Sequence, residues 1–182
     1  MRKQLFCVAA FASLPMLAHA FEITSADIAP NKPIPQKFAY NGFGCTGNNI
    51  SPQLSWKNPP AGTKSFALLV DDPDAPNGGA GFWHWIVVNL PVSVVSLPQG
   101  AGTAEGKGLL EGAWQIPNDF GTPGWGGPCP PAGAAPHHYR FTVYALKVDK
   151  LDLPANATAS LTGFQVNANA IGKATFTGLY GR

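Results

Sequence analysis

The stretch at residues 65–76, Ser-Phe-Ala-Leu-Leu-Val-Asp-Asp-Pro-Asp-Ala-Pro, constrains the fold more than any other part of the chain. It opens on a short apolar run (66–70) and ends in a stiff turn containing Asp71, Asp72, Asp74 and prolines 73 and 76. A second run follows closely, Phe82-Trp83-His84-Trp85-Ile86-Val87-Val88-Asn89-Leu90-Pro91, entered through Gly78, Gly79 and Gly81. Short runs rich in β-branched and aromatic residues, bounded by Pro and Gly, read as strands buried on both faces. Each proline fixes φ and removes a donor, so carboxylates and one histidine are held where two buried strands meet a constrained loop. Binding chemistry concentrates on loops carried by rigid scaffolds, and this one reads as the rim of a ligand pocket.

Residues 1–20 read as a secretory leader. Arg2 and Lys3 precede an apolar stretch at 5–17, and Ala18-His19-Ala20 fits a small-x-small cleavage site. The apolar part is too short to span a bilayer, and no later segment is apolar enough to do so. The expectation is cleavage near Ala20, a single domain over 21–182, and a periplasmic or secreted protein. Without Arg2 and Lys3 the chain carries ten Lys+Arg against ten Asp+Glu. Near-zero charge with no basic cluster argues against nucleic acid or an anionic membrane surface as the main partner. Cys45 and Cys129 remain, and two cysteines in an exported chain invite a disulfide, with a pair of free buried thiols as the alternative.

Elsewhere the chain reads as strands and turns. Residues 21–38, with three isoleucines among three prolines, suggest an edge strand and turns, and 40–52 is a turn-rich loop carrying Cys45. Residues 54–56 form a short strand, 97–114 are loop, and 139–147 form a β-branched and aromatic strand. Residues 117–136 hold six prolines and five glycines, a composition that suggests disorder in isolation. Phe120, Trp125 and Cys129 within it favour an ordered, stiff loop instead. Leu161, Phe164, Ala168 and Ile171 recur at helical spacing and predict one amphipathic helix over about 157–173, with extended chain after 175. The domain is therefore mainly β.

Outside the leader the histidines are His84, His137 and His138. All lie at two loop-to-strand junctions, the first beside the Asp cluster and the second after the Pro/Gly loop. Zinc would need three or four ligands; neighbours on a strand point oppositely, so His84, one of His137 and His138, and an Asp are the available set. Nucleophilic hydrolysis needs a Ser or Cys with a base and an orienter, and no Gly-x-Ser-x-Gly is present. Neither a Walker pattern nor Gly-x-Gly-x-x-Gly occurs. A purely structural His84–Asp72 pair is a further reading. The last is a small anion pocket, in which imidazoles and loop N–H groups donate and Asp72 or Asp74 orients a histidine. A zwitterion, phosphate toward His84 and His137 and ammonium toward Asp, would suit both signs, walled by Phe82, Trp83, Trp85 or Trp125.

Asp72-Pro73-Asp74-Ala75-Pro76, Trp83-His84-Trp85, Gly127-Pro128-Cys129-Pro130-Pro131, His137-His138-Tyr139 and Phe141-Thr142-Val143-Tyr144-Ala145-Leu146 occur here in order. With Ser51-Pro52 and the closing Gly178-Leu179-Tyr180-Gly181-Arg182, this set resembles the phosphatidylethanolamine-binding protein family, also known for Raf kinase inhibitor proteins, and in particular its bacterial YbhB/YbcL-like branch. The resemblance implies a two-sheet, mainly antiparallel β-fold with one C-terminal helix and few short helices. It implies a pocket built from Asp72, Asp74, His84, Pro131, His137 and Tyr139, a cis Ala75–Pro76 bond, and no cofactor or metal. Where the family usually reads His-Arg-Tyr, this chain has His138 in place of the arginine. The expectation is a lost salt bridge, with Arg140 facing the other side of the strand. The implied function is an exported binding protein with a small phosphate-type anion pocket, acting on a phosphorylated ligand or head group or on a protein partner. A weak phosphoester or phosphoanhydride hydrolase, or a protein inhibitor with a vestigial pocket, are the alternatives.

Overall fold

A computed structural model describes residues 19–76 and 78–182; the expected leader, apart from His19 and Ala20, lies outside the described residues. In chain order the elements are β1 (Glu22–Thr24), β2 (Asn41–Gly42), β3 (Cys45–Thr46), β4 (Leu54–Lys57), β5 (Ser65–Asp72), β6 (Phe82–Pro91), β7 (Ser96–Leu97), β8 (Trp114–Ile116), β9 (His137–Leu146), α1 (Ala159–Asn169) and β10 (Ala170–Tyr180), with one 3-10 turn at Gln36–Phe38. The main sheet has five antiparallel strands in the order β10-β9-β5-β6-β8, and a second sheet has the order β1-β4-β7. A small hairpin, β2–β3, stands apart from both. Among the described residues the architecture is the mainly β fold with one α-helix that the sequence suggests.

The reading of β5 and β6 as doubly buried has a simple cause. Side chains alternate across a strand, so Phe66, Leu68 and Val70 point into the core shared with Ile23, Leu54 and Trp56 of the smaller sheet. Ala67 and Leu69 point the other way, into a second core closed by Leu151, Ala157, Ala159 and Val166. Every residue of β5 is buried. Its two edges are covered as well, by β6 on one side and β9 on the other. The ends of β5 and β9, where Asp71 and Asp72 meet residues 137–140, are thus held by the pairing of β9 with a fully buried strand.

Three expectations are corrected. The helix ends at Asn169, not 173, and Ile171 belongs to β10, because β9 offers a full antiparallel ladder to the chain from Ala170 onward. The periodic residues Leu161 and Phe164 lie outward, Phe164 being 69% exposed, and the helix buries Ala159, Thr162, Gly163 and Val166 instead. Small side chains let it sit close to the sheet, with Gly163 against Trp83. The Ala75–Pro76 bond is trans, the form that prolyl bonds themselves favour by about 0.5–1 kcal/mol. Finally, Arg140 lies on the same face as His138, since positions two apart on a strand share a side. It forks onto Asp71, with Nε 3.2 Å from both carboxylate oxygens, while His138 binds Asp74 through its backbone N–H (2.7 Å) and Nδ1 (2.8 Å). An ion pair does therefore stand at this strand end, between Arg140 and Asp71.

Cys45 and Cys129 form a disulfide across 84 residues, tying the β2–β3 hairpin to the Pro-rich loop before β9. On the chain-entropy account, closing a loop of that size stabilises by about 4–5 kcal/mol. We predict that reduction, or Cys45→Ser with Cys129→Ser, lowers the denaturant midpoint by a corresponding amount. Equilibrium unfolding with and without reductant measures it, and an unchanged midpoint would show that the bond adds nothing beyond the contacts around it.

Candidate functional site

A cavity of about 420 Å³ opens where the ends of β5, β6 and β9 meet the loops, lined in part by Asp72, His84, Pro131, His137 and Tyr139. Five of the six pocket residues read from the sequence therefore converge. Asp74 does not line the cavity; it stays at the surface and clips His138. That backbone N–H and ring hold the Asp74 carboxyl below its ordinary 3.8. Of the aromatic residues offered as walls, Phe82 lines the cavity. Trp85 and Trp125 are buried in the core, and Trp83 packs on the far side of the main sheet.

Each histidine is oriented by its Nδ1. In His84 that nitrogen lies 2.5 Å from the carbonyl oxygen of Gly126. A carbonyl only accepts, so Nδ1 carries the proton and the free nitrogen is Nε2. In His137, Nδ1 lies 2.7 Å from Oδ2 of Asp72, and the carboxylate likewise takes its proton. The other oxygen of Asp72 accepts the backbone N–H of Asp74 at 2.9 Å, so the carboxylate is spent holding the turn and the ring together. Both imidazoles present unprotonated Nε2 atoms when neutral, which accept rather than donate. This reverses the expectation that neutral rings would supply N–H donors.

Tyr139 is fully buried beneath the same cavity, its ring 5.1 Å from that of His84. Its hydroxyl has no hydrogen-bond partner of good geometry among the described residues; burial first, and then the charge and a loose hydrogen-bonding approach of Asp72, push its pKa upward. It stays protonated and has a donor to give. Burial lowers the His84 pKa below its ordinary 6.5, opposed by the Gly126 carbonyl and by the carboxylates of Asp72, Asp71 and Asp119.

Several lining residues were not picked out from the sequence: Phe43, Asp119, Phe120, Pro130 and Arg182. Asn118 organises their loop. Its Nδ2 donates to Gly124 (3.0 Å) and its Oδ1 accepts from Phe120 N–H (2.9 Å), the behaviour that Asn in a turn signals. The loop then runs so close to the 3-10 turn that a Cβ on Gly127 would stand 2.1 Å from the carbonyl oxygen of Phe38. Arg182 closes the last of the motifs that carry the family resemblance, but nothing in the sequence places it at the cavity. Its guanidinium reaches the carbonyls of Pro130 (2.7 Å), Gly44 (3.0 Å) and Phe43 (3.3 Å). Among the described residues no group of three or more His, Cys, Asp or Glu is placed to hold a metal ion, and no helix is long and apolar enough to cross a membrane.

Comparison with known proteins bears on this geometry. The family model for phosphatidylethanolamine-binding protein matches residues 24–181. YbcL of Escherichia coli strain K12 is 47% identical over 173 residues, covering 95% of this chain and 94% of YbcL. YbhB of the same organism is 41% identical, covering 87% and 99%. The crystal structure of E. coli YbcL, described as a new member of the mammalian PEBP family, superposes with a TM-score of 0.86 over 89% of this chain and 98% of that one.

The buried His84 sets a sign for pH dependence. Unfolded, it binds a proton below its ordinary 6.5; folded, burial resists that proton. The unfolded state holds more protons there, so stability falls on acidification through that range. We predict a denaturant midpoint that drops between about pH 7.5 and about pH 5.5, with a slope reduced in His84→Gln. A slope untouched by the substitution would assign the effect to other groups.

Proposed function

Because the chain belongs to the phosphatidylethanolamine-binding protein family, we propose that it is an exported binding protein whose cavity takes the phosphate group of a small ligand. The observation that carries this reading is the convergence of two oriented imidazoles on a buried tyrosine hydroxyl that lacks a partner. A buried donor left unpaired costs roughly 1–3 kcal/mol, a cost that a ligand oxygen would remove. The two Nε2 atoms serve an anion in either of two ways. They accept from the O–H of a phosphate monoanion, or they take up protons and donate to a dianion. The Arg182 guanidinium adds positive charge at the rim, while Asp72 and Asp119 discourage a bare dianion on their own side. Export is supported by the leader-like residues 1–20 and by a disulfide, which persists in oxidising compartments.

One feature favours a second reading. The Asp72–His137 pair is a carboxylate-oriented imidazole, the arrangement of a general base, and a water poised on Nε2 would make the cavity a weak phosphoester hydrolase. Both readings predict binding, but only the second predicts turnover. Incubation with p-nitrophenyl phosphate, with and without chelator, separates them. Phosphate release that His137→Ala abolishes would favour the hydrolase.

For the binding reading, calorimetric titration of inorganic phosphate and phosphoethanolamine is the test. We expect His84→Ala and His137→Ala each to weaken binding by about tenfold or more, as for a lost charge-assisted hydrogen bond. Affinity should rise as pH falls below the ordinary histidine range, where the buried His84 takes up its proton. Tyr139→Phe is the most discriminating variant. Removing an unsatisfied buried hydroxyl should leave stability unchanged or raised while weakening phosphate, whereas unaltered affinity in all three variants would remove this cavity from the account.

A further inference from the structure

The tip of the β2–β3 hairpin costs more to hold than its own contacts return. Among the described residues its strands pair only with each other, Asn41 with Thr46 and Gly42 with Cys45, and a lone two-stranded hairpin is marginal in water. The turn carries φ of 50° at Phe43 and 80° at Gly44, a left-handed pair that asparagine and glycine fit and phenylalanine does not. The Phe43 side chain is 78% exposed, so little burial offsets that strain. The base of the hairpin is firmer. Tyr40 donates its N–H to the Pro128 carbonyl (3.0 Å) and stacks on Phe120 at 4.0 Å.

Two ties hold the tip, and both end on the Pro-rich loop. Cys45, the residue after the turn, is bonded to Cys129. Arg182 donates to the carbonyls of Phe43 (3.3 Å) and Gly44 (3.0 Å) on one side and of Pro130 (2.7 Å) on the other. One tie is covalent and the other is a set of hydrogen bonds from a cation, so losing the first leaves the second to resist the strain in the turn. The two sulfur atoms are also unequally placed. Cys45 is 7% exposed, whereas Cys129 is partly exposed and lines the cavity. A thiolate attacks the sulfur it can reach, and here that sulfur is approached from the cavity.

We propose that the Cys45–Cys129 bond is a redox-controlled latch on the cavity mouth, opened by a small dithiol that enters through the cavity. One thiolate of the dithiol bonds to Sγ of Cys129, the Cys45–Cys129 bond breaks, and its electron pair leaves on Sγ of Cys45, which takes up a proton. The second thiol of the reductant then displaces Cys129 as a thiolate and closes a disulfide within the reductant, so two electrons and two protons pass to the protein. Arg182 and the ring contacts of Phe43 are left to hold the tip, the turn relaxes from its left-handed geometry, and residues 43–45 swing away from the loop about the base at Tyr40. The central strands take no part, because neither tie ends on them. In an oxidising compartment the latch stays shut until a dithiol is delivered.

The test treats the oxidised full chain, without denaturant, with dithiothreitol and separately with glutathione. Acid quenching and peptide mass mapping locate the adduct, circular dichroism follows the fold, and hydrogen exchange follows residues 41–47. Glutathione should be trapped on Cys129 with Cys45 as the free thiol. Dithiothreitol should open the bond faster than the domain unfolds, with the dichroism retained. Exchange at 41–47 should then rise by about tenfold or more while β5 and β9 stay protected, the mark of a local opening. Arg182→Gln checks the second tie: exchange at 41–47 should stay within about twofold of wild type while the bond is intact, and exceed that of reduced wild type once it is broken. Reduction that requires or causes global unfolding would make the bond a staple and overturn the proposal. So would an adduct confined to Cys45, unchanged exchange at 41–47 after reduction, or an Arg182→Gln effect of equal size in both redox forms.

Discussion

The pairing of β5 with β9 is the constraint on which the rest of the molecule depends. It lies at the centre of the main sheet, buried on both faces, and at its end three carboxylates of one strand-and-turn each meet a different side chain of the other. Asp71 takes Arg140, Asp72 takes His137, and Asp74 takes His138. The Arg140 side chain is half exposed and His138 more so, so those two contacts act as clips whose worth is modest in water. The middle one is different. Both partners are nearly enclosed, and breaking a buried hydrogen-bonded pair leaves a costly remainder. Register, turn and ring orientation are therefore set together.

That arrangement gives the cavity its chemistry. A histidine whose Nδ1 is committed elsewhere has one nitrogen left, in a known direction and a known protonation state. The molecule does this twice with different acceptors. His84 leans on a neutral carbonyl and is buried, so it resists charging. His137 leans on a carboxylate instead. The two rings thus differ in what orients them, and a phenol that keeps its proton lies at the same cavity.

The outer wall follows a separate logic. The β2–β3 hairpin is too short to be stable alone, and it holds its place through a covalent bond and a guanidinium bridge. The cavity thus has a rigid inner end made of central strands and an outer lip secured by long-range ties. The exposed Phe43 ring is tolerable only because those ties exist.

Much of this was legible in the chain. The buried strands, the stiff acidic turn, the ordered Pro/Gly loop and the pairing of Cys45 with Cys129 all follow from local composition and from motifs that stand in a fixed order. Five pocket residues could be carried over one by one. What could not be read was whatever depended on a distant partner. Phe164 has helical spacing, but the helix buries small residues because their closeness to the sheet gains more contact. Arg140 and His138 share a face by strand geometry, yet which aspartate each meets depends on the register of β5 against β9. Phe43 lacks any local mark, and Arg182, although it closes a recognisable motif, has no sequence neighbour that would place it at the cavity, since its partners there come from far away in the polypeptide. Sequence alone determined which segments are strands and which residue types are available for chemistry, because burial and backbone propensity act locally. Only the tertiary structure decided which ring nitrogen faces the cavity, which carboxylate is spent on structure and which aromatic residue forms the lip, because those follow from contacts between residues that the chain order keeps far apart.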